Sequence, residues 1–424
     1  MTTPVDYSVR AESSRTLRAP TRLARRLTQV EADDQRNGVG PPKRICVVGS
    51  GWRFLSGISY YTCRMSNSLA ETDYEVSAIL MRRLLPRRLY PGKARVGSQL
   101  ADLRYDDSVR VLDGVDYFWW PSLLRALRFL LRERPDVVVF EWWSATVLHT
   151  YLVLAAVARL LGARVVIEFH ETLDSAEATM MFPRLYADIF IRPMLWIASG
   201  YAVHSGFDRD VISKRYPVGT KPVAVVPHGP YNHGVRASER RPRGPDDPVR
   251  LLFFGTIRPY KGLEHLIDAF DGLTDAEAER FSLTVAGETW EGWDIPTELI
   301  ARARHRDRIV FVNRYVTDAE ATTLFSEADV VVLPYLRSSA SGPLHMAMSH
   351  GLSVIVTAVG GLTEAATLYQ GTTFVPPGDT DSLREAIRQI DPSLGVHYPD
   401  PFSWAESAGR LASLFVSDSS QSAR

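Results

Sequence analysis

The stretch RLLFFGTIRPYKGLEHLIDAF (250–270) carries a short apolar run, a glycine, a polar loop and an amphipathic segment in immediate succession. A short apolar run closed by glycine reads as a buried strand, and the segment after the loop reads as a helix, so this is a β–loop–α unit of a parallel sheet. Gly255 ends the strand, and Arg258 and Lys261 lie between the strand and the helix. Two fixed positive charges and helix-end amides thus converge on one small volume. That suits a diphosphate leaving group, whose developing charge must be neutralised out of water. A solvated loop with two basic residues is the ordinary alternative.

Working outward, further apolar runs occur at FSLTVAG (281–287), RIVFVN (308–313), DVVVLP (329–334) and LSVIVT (352–357), alternating with helical segments. The first half repeats the architecture with RICVVGSG (44–51), EVSAILM (75–81), VRVLD (109–113), DVVVFE (136–141), ARVVIEFH (163–170) and GYAVHS (200–205). The predicted fold class is α/β, with two Rossmann-like doubly wound domains facing across a cleft. The expected boundaries are an Arg-rich disordered tail over 1–42, a first domain over 43–230, a Pro- and Arg-rich linker over 231–248, a second domain over 249–395, and a C-terminal helix crossing back within 396–424. Strand C-termini are where the ligand crevices of such sheets lie.

Composition bounds the partners. With 424 residues, two substantial cores fit, and Lys plus Arg equals Asp plus Glu at 49 each, so no global field favours nucleic acid. Two cysteines, Cys46 and Cys63, offer neither a disulfide framework nor a four-ligand metal set, and a reducing cytoplasm is expected. The most apolar candidate for a span, Ala145 to Leu161, is broken by His149 and Arg159 and reads as a buried helix. The basic stretch MRRLLPRRLYPGKAR (81–95) interleaves Arg82, Arg83, Arg87, Arg88, Lys93 and Arg95 with apolar residues. An anionic membrane surface, a pyrophosphate-bearing lipid acceptor, a soluble acidic substrate and plain solvation all fit it. Peripheral attachment at the inner membrane face is the localisation that the first two imply.

A second cluster, PYLRSSASGPLHMAMSHG (334–351), follows a strand and enters a helix near Pro343. Amides at Ser341 and Gly342, with the hydroxyls of Ser338, Ser339 and Ser341, suit a phosphate or sugar hydroxyl; a serine-rich cap without ligand looks the same. TAVGGLTEA (357–365) places Gly360, Gly361 and Glu364 after the next strand. In the first half Gly49, Ser50, Gly51, Ser56 and Gly57 bracket a glycine-rich loop, and His170 and His228 end strands, with Tyr231 following. Asp174 and Ser205 are fainter cleft candidates. Trp119, Trp120, Trp142 and Trp143 suit sugar stacking or, more ordinarily, the core. No G-x-G-x-x-G is present, which argues against nicotinamide binding.

Six landmarks in order then carry a resemblance: R-x-x-K-G at Arg258–Gly262, VAG at Val285–Gly287, EADVVVLP (327–334), AMSHGLSVIVT (347–357), GG at 360 and 361, and FVPPGD (374–379). The second half resembles the donor domain of retaining glycosyltransferases of family 4, which have the GT-B fold. FSW (402–404) resembles the start of that family's last helix. The resemblance implies transfer of a sugar from a nucleotide sugar to a sugar or lipid-linked acceptor hydroxyl, with retention and with no metal or other cofactor. It implies that Arg258, Lys261 and His170 are catalytic and that Gly57, Gly255, Ser338, Ser341, Gly342 and Glu364 bind the donor. One departure stands out. Where that family has two glutamates eight positions apart, this chain has Ser338 and Met346, leaving the ribose to Glu364, His345 or a backbone group. The close carboxylate pairs Asp33–Asp34, Asp106–Asp107 and Asp246–Asp247 sit in polar loops or the tail and suggest no metal. A non-catalytic partner of another transferase and a sugar-nucleotide epimerase of similar fold remain open beside the transferase.

Overall fold

The computed structural model describes residues 43–51, 57–83, 103–116, 119–171, 181–231, 243–244, 246–289, 293–390 and 396–416. The expected tail over 1–42, Ser56, Asp174, most of the basic stretch 81–95 and most of the linker lie outside them.

The first sheet contains β1 (Arg44–Ser50), β2 (Glu75–Arg83), β3 (Arg110–Asp116), β4 (Val137–Trp142), β5 (Arg164–Phe169), β6 (Gly200–Val203) and β7 (Val223–Val225). The second contains β8 (Val249–Phe254), β9 (Phe281–Ala286), β10 (Ile309–Val312), β11 (Val330–Leu333), β12 (Ser353–Thr357) and β13 (Thr372–Val375). All the pairings are parallel. The orders are β3-β2-β1-β4-β5-β6-β7 and β10-β9-β8-β11-β12-β13. Both therefore reverse direction at a single point, between β1 and β4 and between β8 and β11, and that crevice is where a doubly wound sheet receives ligand.

The helices that matter for the site are α1 (Gly57–Ala70), α2 (Gly206–Arg215), α3 (Leu263–Asp271), α4 (Gly342–Ser349), α5 (Gly360–Thr367) and α6 (Trp404–Ala412). Burial on both faces explains the uninterrupted apolar strands. In β1, Ile45 and Val47 join one apolar cluster and Cys46 and Val48 the other, as a period of two requires. Cys46 and Cys63 are free, buried thiols.

Gly360 and Gly361 open α5 instead of forming a bare turn, and position 361 needs glycine because a β-carbon there would lie 1.9 Å from the Ser339 carbonyl oxygen. Helix α6 packs on α1 and β7, with Trp404 Nε1 donating to the Pro230 carbonyl (2.8 Å) and Ser407 Oγ to that of Pro227 (2.7 Å). No helix among the described residues is long and apolar enough to cross a membrane.

Candidate active site at the two switch points

The second sheet places its cations at its switch point. After β8, Arg258 precedes a single 3-10 turn (Pro259–Lys261), and Gly262 ends that turn with φ 61°, the left-handed conformation. A β-carbon at Gly262 would lie 2.1 Å from the Pro334 carbonyl oxygen, so only glycine lets this loop approach the end of β11. Lys261 is 9% exposed, and its ammonium lies 5.3 Å from the centre of the Tyr335 ring. A β-carbon at Gly255 would be 2.9 Å from Lys261 Nζ and 3.5 Å from Pro343 Cγ, which puts the ammonium against the strand end beside the first turn of α4. Among the described residues no carboxylate reaches Lys261 at ion-pair distance. Burial pushes its pKa down to about 8, the Arg258 charge adds to that, and Glu171, from the end of the first sheet, acts in the opposite sense.

The N-terminus of α4 completes this half. Ser341, the N-cap, accepts from Leu344 N at 3.3 Å, and Pro343 has no N–H to satisfy. Gly342 supplies the first-turn amide that this cap leaves over. Ser338 is drawn away into its own loop: its hydroxyl donates to the Ala340 carbonyl (3.0 Å), and its carbonyl accepts from Gly361 N (3.1 Å). Met346 is buried.

Gly57 and Gly342 start α1 and α4, and both abut Tyr231. Tyr231 Oη donates to the Gly57 carbonyl at 3.1 Å, while a β-carbon at Gly342 would lie 3.9 Å from its ring. The structure thus brings together Gly255, Arg258, Lys261, Ser341 and Gly342, and sets Gly57 opposite through Tyr231. Glu364 contacts the first half of the chain. Its two carboxylate oxygens accept from Gly206 N (2.7 Å) and Phe207 N (2.6 Å), the first turn of α2, so it joins the two halves of the chain. Trp142 and Trp143 are core residues, whereas Trp120 is exposed.

The first sheet is built differently beside its switch point, from β4 outward. His170, His204 and His228 follow β5, β6 and β7 in turn, all buried. His204 Nδ1 lies 2.9 Å from the Val226 carbonyl and His204 Nε2 lies 2.9 Å from His170 Nδ1. A carbonyl only accepts, so His204 carries its proton on Nδ1. Burial holds its pKa down at about 4, so its Nε2 is an acceptor and His170 donates from Nδ1. His170 Nε2 is consequently an unprotonated acceptor with no hydrogen-bond partner among the described residues.

Beneath these rings, Glu141 and Glu168 are register partners on β4 and β5 and are both 0% exposed. Tyr61 Oη donates to Glu168 Oε1 (2.6 Å) and Thr62 Oγ1 to Glu141 Oε2. Desolvation pushes Glu168 up to about 7, and desolvation with the neighbouring Glu168 charge pushes Glu141 well above the usual range. Glu141, Glu168 and His204 escaped the sequence reading; the available signal was three consecutive strands each ending in histidine.

Two family descriptions cover most of the chain: "Glycosyl transferase 4-like domain" matches residues 56–229 and "Glycosyl transferases group 1" matches residues 248–390. The chain belongs to the group 1 glycosyltransferases. A GDP-mannose:glycolipid 4-beta-D-mannosyltransferase of Xanthomonas campestris pv. campestris is 33% identical over 139 residues, 32% of this chain and 38% of that protein. A D-inositol 3-phosphate glycosyltransferase of Mycobacteroides abscessus is 27% identical over 223 residues, 50% of this chain and 45% of the relative. The matches thus span less than half the length of these relatives. In solved structures, sucrose-phosphate synthase from Thermosynechococcus elongatus superposes with a TM-score of 0.58 at 17% identity, over 88% of this chain and 94% of that one. Anabaena HepE, solved with UDP and glucose, superposes with a TM-score of 0.55 at 14% identity, over 88% and 95%. These likenesses establish the GT-B fold of this group 1 glycosyltransferase.

Proposed function

We propose that this protein transfers a sugar from a nucleoside-diphosphate sugar to an acceptor hydroxyl, with retention and without a metal on the diphosphate. The observation that carries the reading is Lys261, an ammonium buried beside the α4 N-terminus at the switch point of the second sheet, with no carboxylate at ion-pair distance among the described residues. Burying a cation unpaired is costly unless an anion completes the site. Lys261, Arg258 and the first-turn amide of α4 would hold the diphosphate and stabilise it as it leaves. Gly255 leaves room for Lys261 Nζ, and Ser341 fixes the helix end. Ser338, in the loop that leads into α4, would meet the donor sugar once its hydroxyl leaves the Ala340 carbonyl, and Gly57 would form the opposite wall. His170 serves in this reading as a positioning residue of the first-domain wall, since its ring is buried. Glu364 would act on the donor indirectly, through the contact that holds α5 and α2 together.

A lipid-linked or sugar acceptor, an anionic membrane surface met by residues 81–95 and a cytoplasmic location go with this reading; the mannosyltransferase named for a glycolipid supports the first. A second reading, a non-catalytic partner of another transferase, is favoured by Ser338 and Met346 at the glutamate positions. Titrating the protein with a panel of nucleoside diphosphates and sugar nucleotides, followed by thermal stability, separates the two. A shift with one base that disappears in Arg258→Ala/Lys261→Ala supports the transferase. No shift with any nucleotide supports the partner subunit.

A further inference from the structure

Glu141, Glu168 and His170 form a set with three features that recur in metal sites. One carboxylate oxygen from each glutamate and one ring nitrogen of His170 lie within 4.8 Å of one another. The atoms left over after hydrogen bonding are Glu141 Oε1, Glu168 Oε2 and His170 Nε2, all buried and all without a partner among the described residues. Each candidate ligand is also oriented from behind: Thr62 donates to Glu141, Tyr61 donates to Glu168, and His204 accepts from His170 while its own Nδ1 is tied to the Val226 carbonyl. Such outer hydrogen bonds fix tautomer and carboxylate direction around bound metals.

The neighbouring group His170, His204 and His228 is also compact. It is the weaker donor set, because both nitrogens of His204 are already used and its Nε2 lone pair is taken by His170. Two carboxyl groups and one imidazole instead offer three unpartnered donor atoms, and two negative charges once an incoming cation displaces the protons that burial favours.

We propose that Glu141, Glu168 and His170 bind a first-row divalent metal ion of the zinc or manganese class, which neutralises the two buried carboxylates and ties β4 to β5 beneath the first-domain wall of the cleft. The donor set, hard oxygens with one imidazole and no thiolate, suits those ions and disfavours soft ones. Gly49 belongs to the same construction: a β-carbon there would lie 2.2 Å from Glu141 Oε2 and 2.6 Å from Thr62 Oγ1, so the carboxylate and its orienting hydroxyl fill the space that glycine leaves. The ion is structural and separate from the diphosphate chemistry, so its test needs no nucleotide.

The full chain, purified in chelator-free buffer, is analysed for metals by mass spectrometry and then dialysed against a chelator. The expected result is about one equivalent of zinc or manganese, a fall in thermal midpoint on chelation, and recovery when either ion is added back. Cobalt loading then gives visible ligand-field bands that are lost in Glu141→Gln/Glu168→Gln. Should that variant fail to fold, Tyr61→Phe removes one orienting hydrogen bond; it is expected to lower the metal-free midpoint modestly and to weaken metal affinity, measured directly on the folded protein, about 10- to 100-fold. Protein isolated free of metal, with no change in midpoint when zinc or manganese is added, overturns the proposal and assigns the pair to a shared proton. Equal affinity in wild type and Tyr61→Phe, together with cobalt bands that survive in the double variant, overturns it as well.

Discussion

The two sheets share one winding and differ in what stands at the reversal. Beside β1/β4, from β4 outward, the buried groups are two carboxylates, held by hydroxyls of α1, and imidazoles; at β8/β11 stand the buried Lys261, the half-buried Arg258 and the positive end of α4. The same topology therefore gathers acidic and imidazole groups in one half and positive charge in the other, which is the contrast that the proposed cation and anion sites rest on. The fold fixes where side chains converge, and only the residues at the strand ends fix what they attract.

The sharpest way to break this contrast is to remove the charge from the second site. Arg258→Ala/Lys261→Met is expected to lower sugar transfer at least about a hundredfold, since loss of even one preorganised donor at a leaving group has that effect. Thermal stability should hold or rise, because an unpaired buried ammonium disappears. Transfer at the wild-type rate would mean that the diphosphate is held elsewhere and that the contrast between the switch points is one of charge only.

Next in size is a pair of glycine substitutions, one at each switch point. Gly262→Ala meets the backbone oxygen of Pro334 and a left-handed φ, neither of which can yield, so a loss of about 3 kcal/mol is expected in chemical denaturation. Gly49→Ala meets the side chains of Glu141 and Thr62, which can move, so a loss of about 2 kcal/mol or less is expected. Equal losses would show that the carboxylate of Glu141 is as rigid as backbone.

The two sites were also unequally legible. Arg258, Lys261, Ser341 and Gly342 lie on single loops between an apolar strand and a helix, so the local pattern places them at strand ends without knowledge of the pairing. Glu141 and Glu168 come from separate strands, and only the parallel register that sets one opposite the other turns two strand-end acids into a pair. His204 was hidden for the same reason: its role is defined by His170 on the neighbouring strand. Glu364 shows a different limit: its motif position suggests a donor contact, while the two amides it meets belong to the start of α2, a helix that the local pattern does not mark.

A smaller effect follows from the burial of Lys261. Its folded pKa of about 8 lies below the ordinary lysine value, so the unfolded chain binds the proton more tightly, and the contribution to stability grows as pH rises from about 8 toward 10.5. Anion binding runs the other way, because the ammonium is the binding form. Nucleoside-diphosphate affinity should fall by up to about tenfold per pH unit above 8, while apo stability rises, with Arg258 and Glu171 the charged neighbours that tune the midpoint. Both trends should flatten in Lys261→Met. Affinity that is level across this range would place the ammonium outside the anion site.

The smallest expected effect concerns the contact between the halves that is made away from either switch point. Glu364 satisfies two amides at the start of α2 with an exposed carboxylate, an arrangement comparable to an N-cap, so Glu364→Ala is expected to cost about 1 kcal/mol. The consequence for function separates two roles. If Glu364 touches donor, its loss raises the KM for the nucleotide sugar by more than the loss of stability accounts for. If it only holds α5 to α2, Glu364→Gln, which still offers an oxygen to one amide, recovers part of the stability, and KM follows stability across the two variants. The two halves are then coupled through a hydrogen bond that neither buried site supplies, and their opposite chemistries are brought together by an ordinary helix cap.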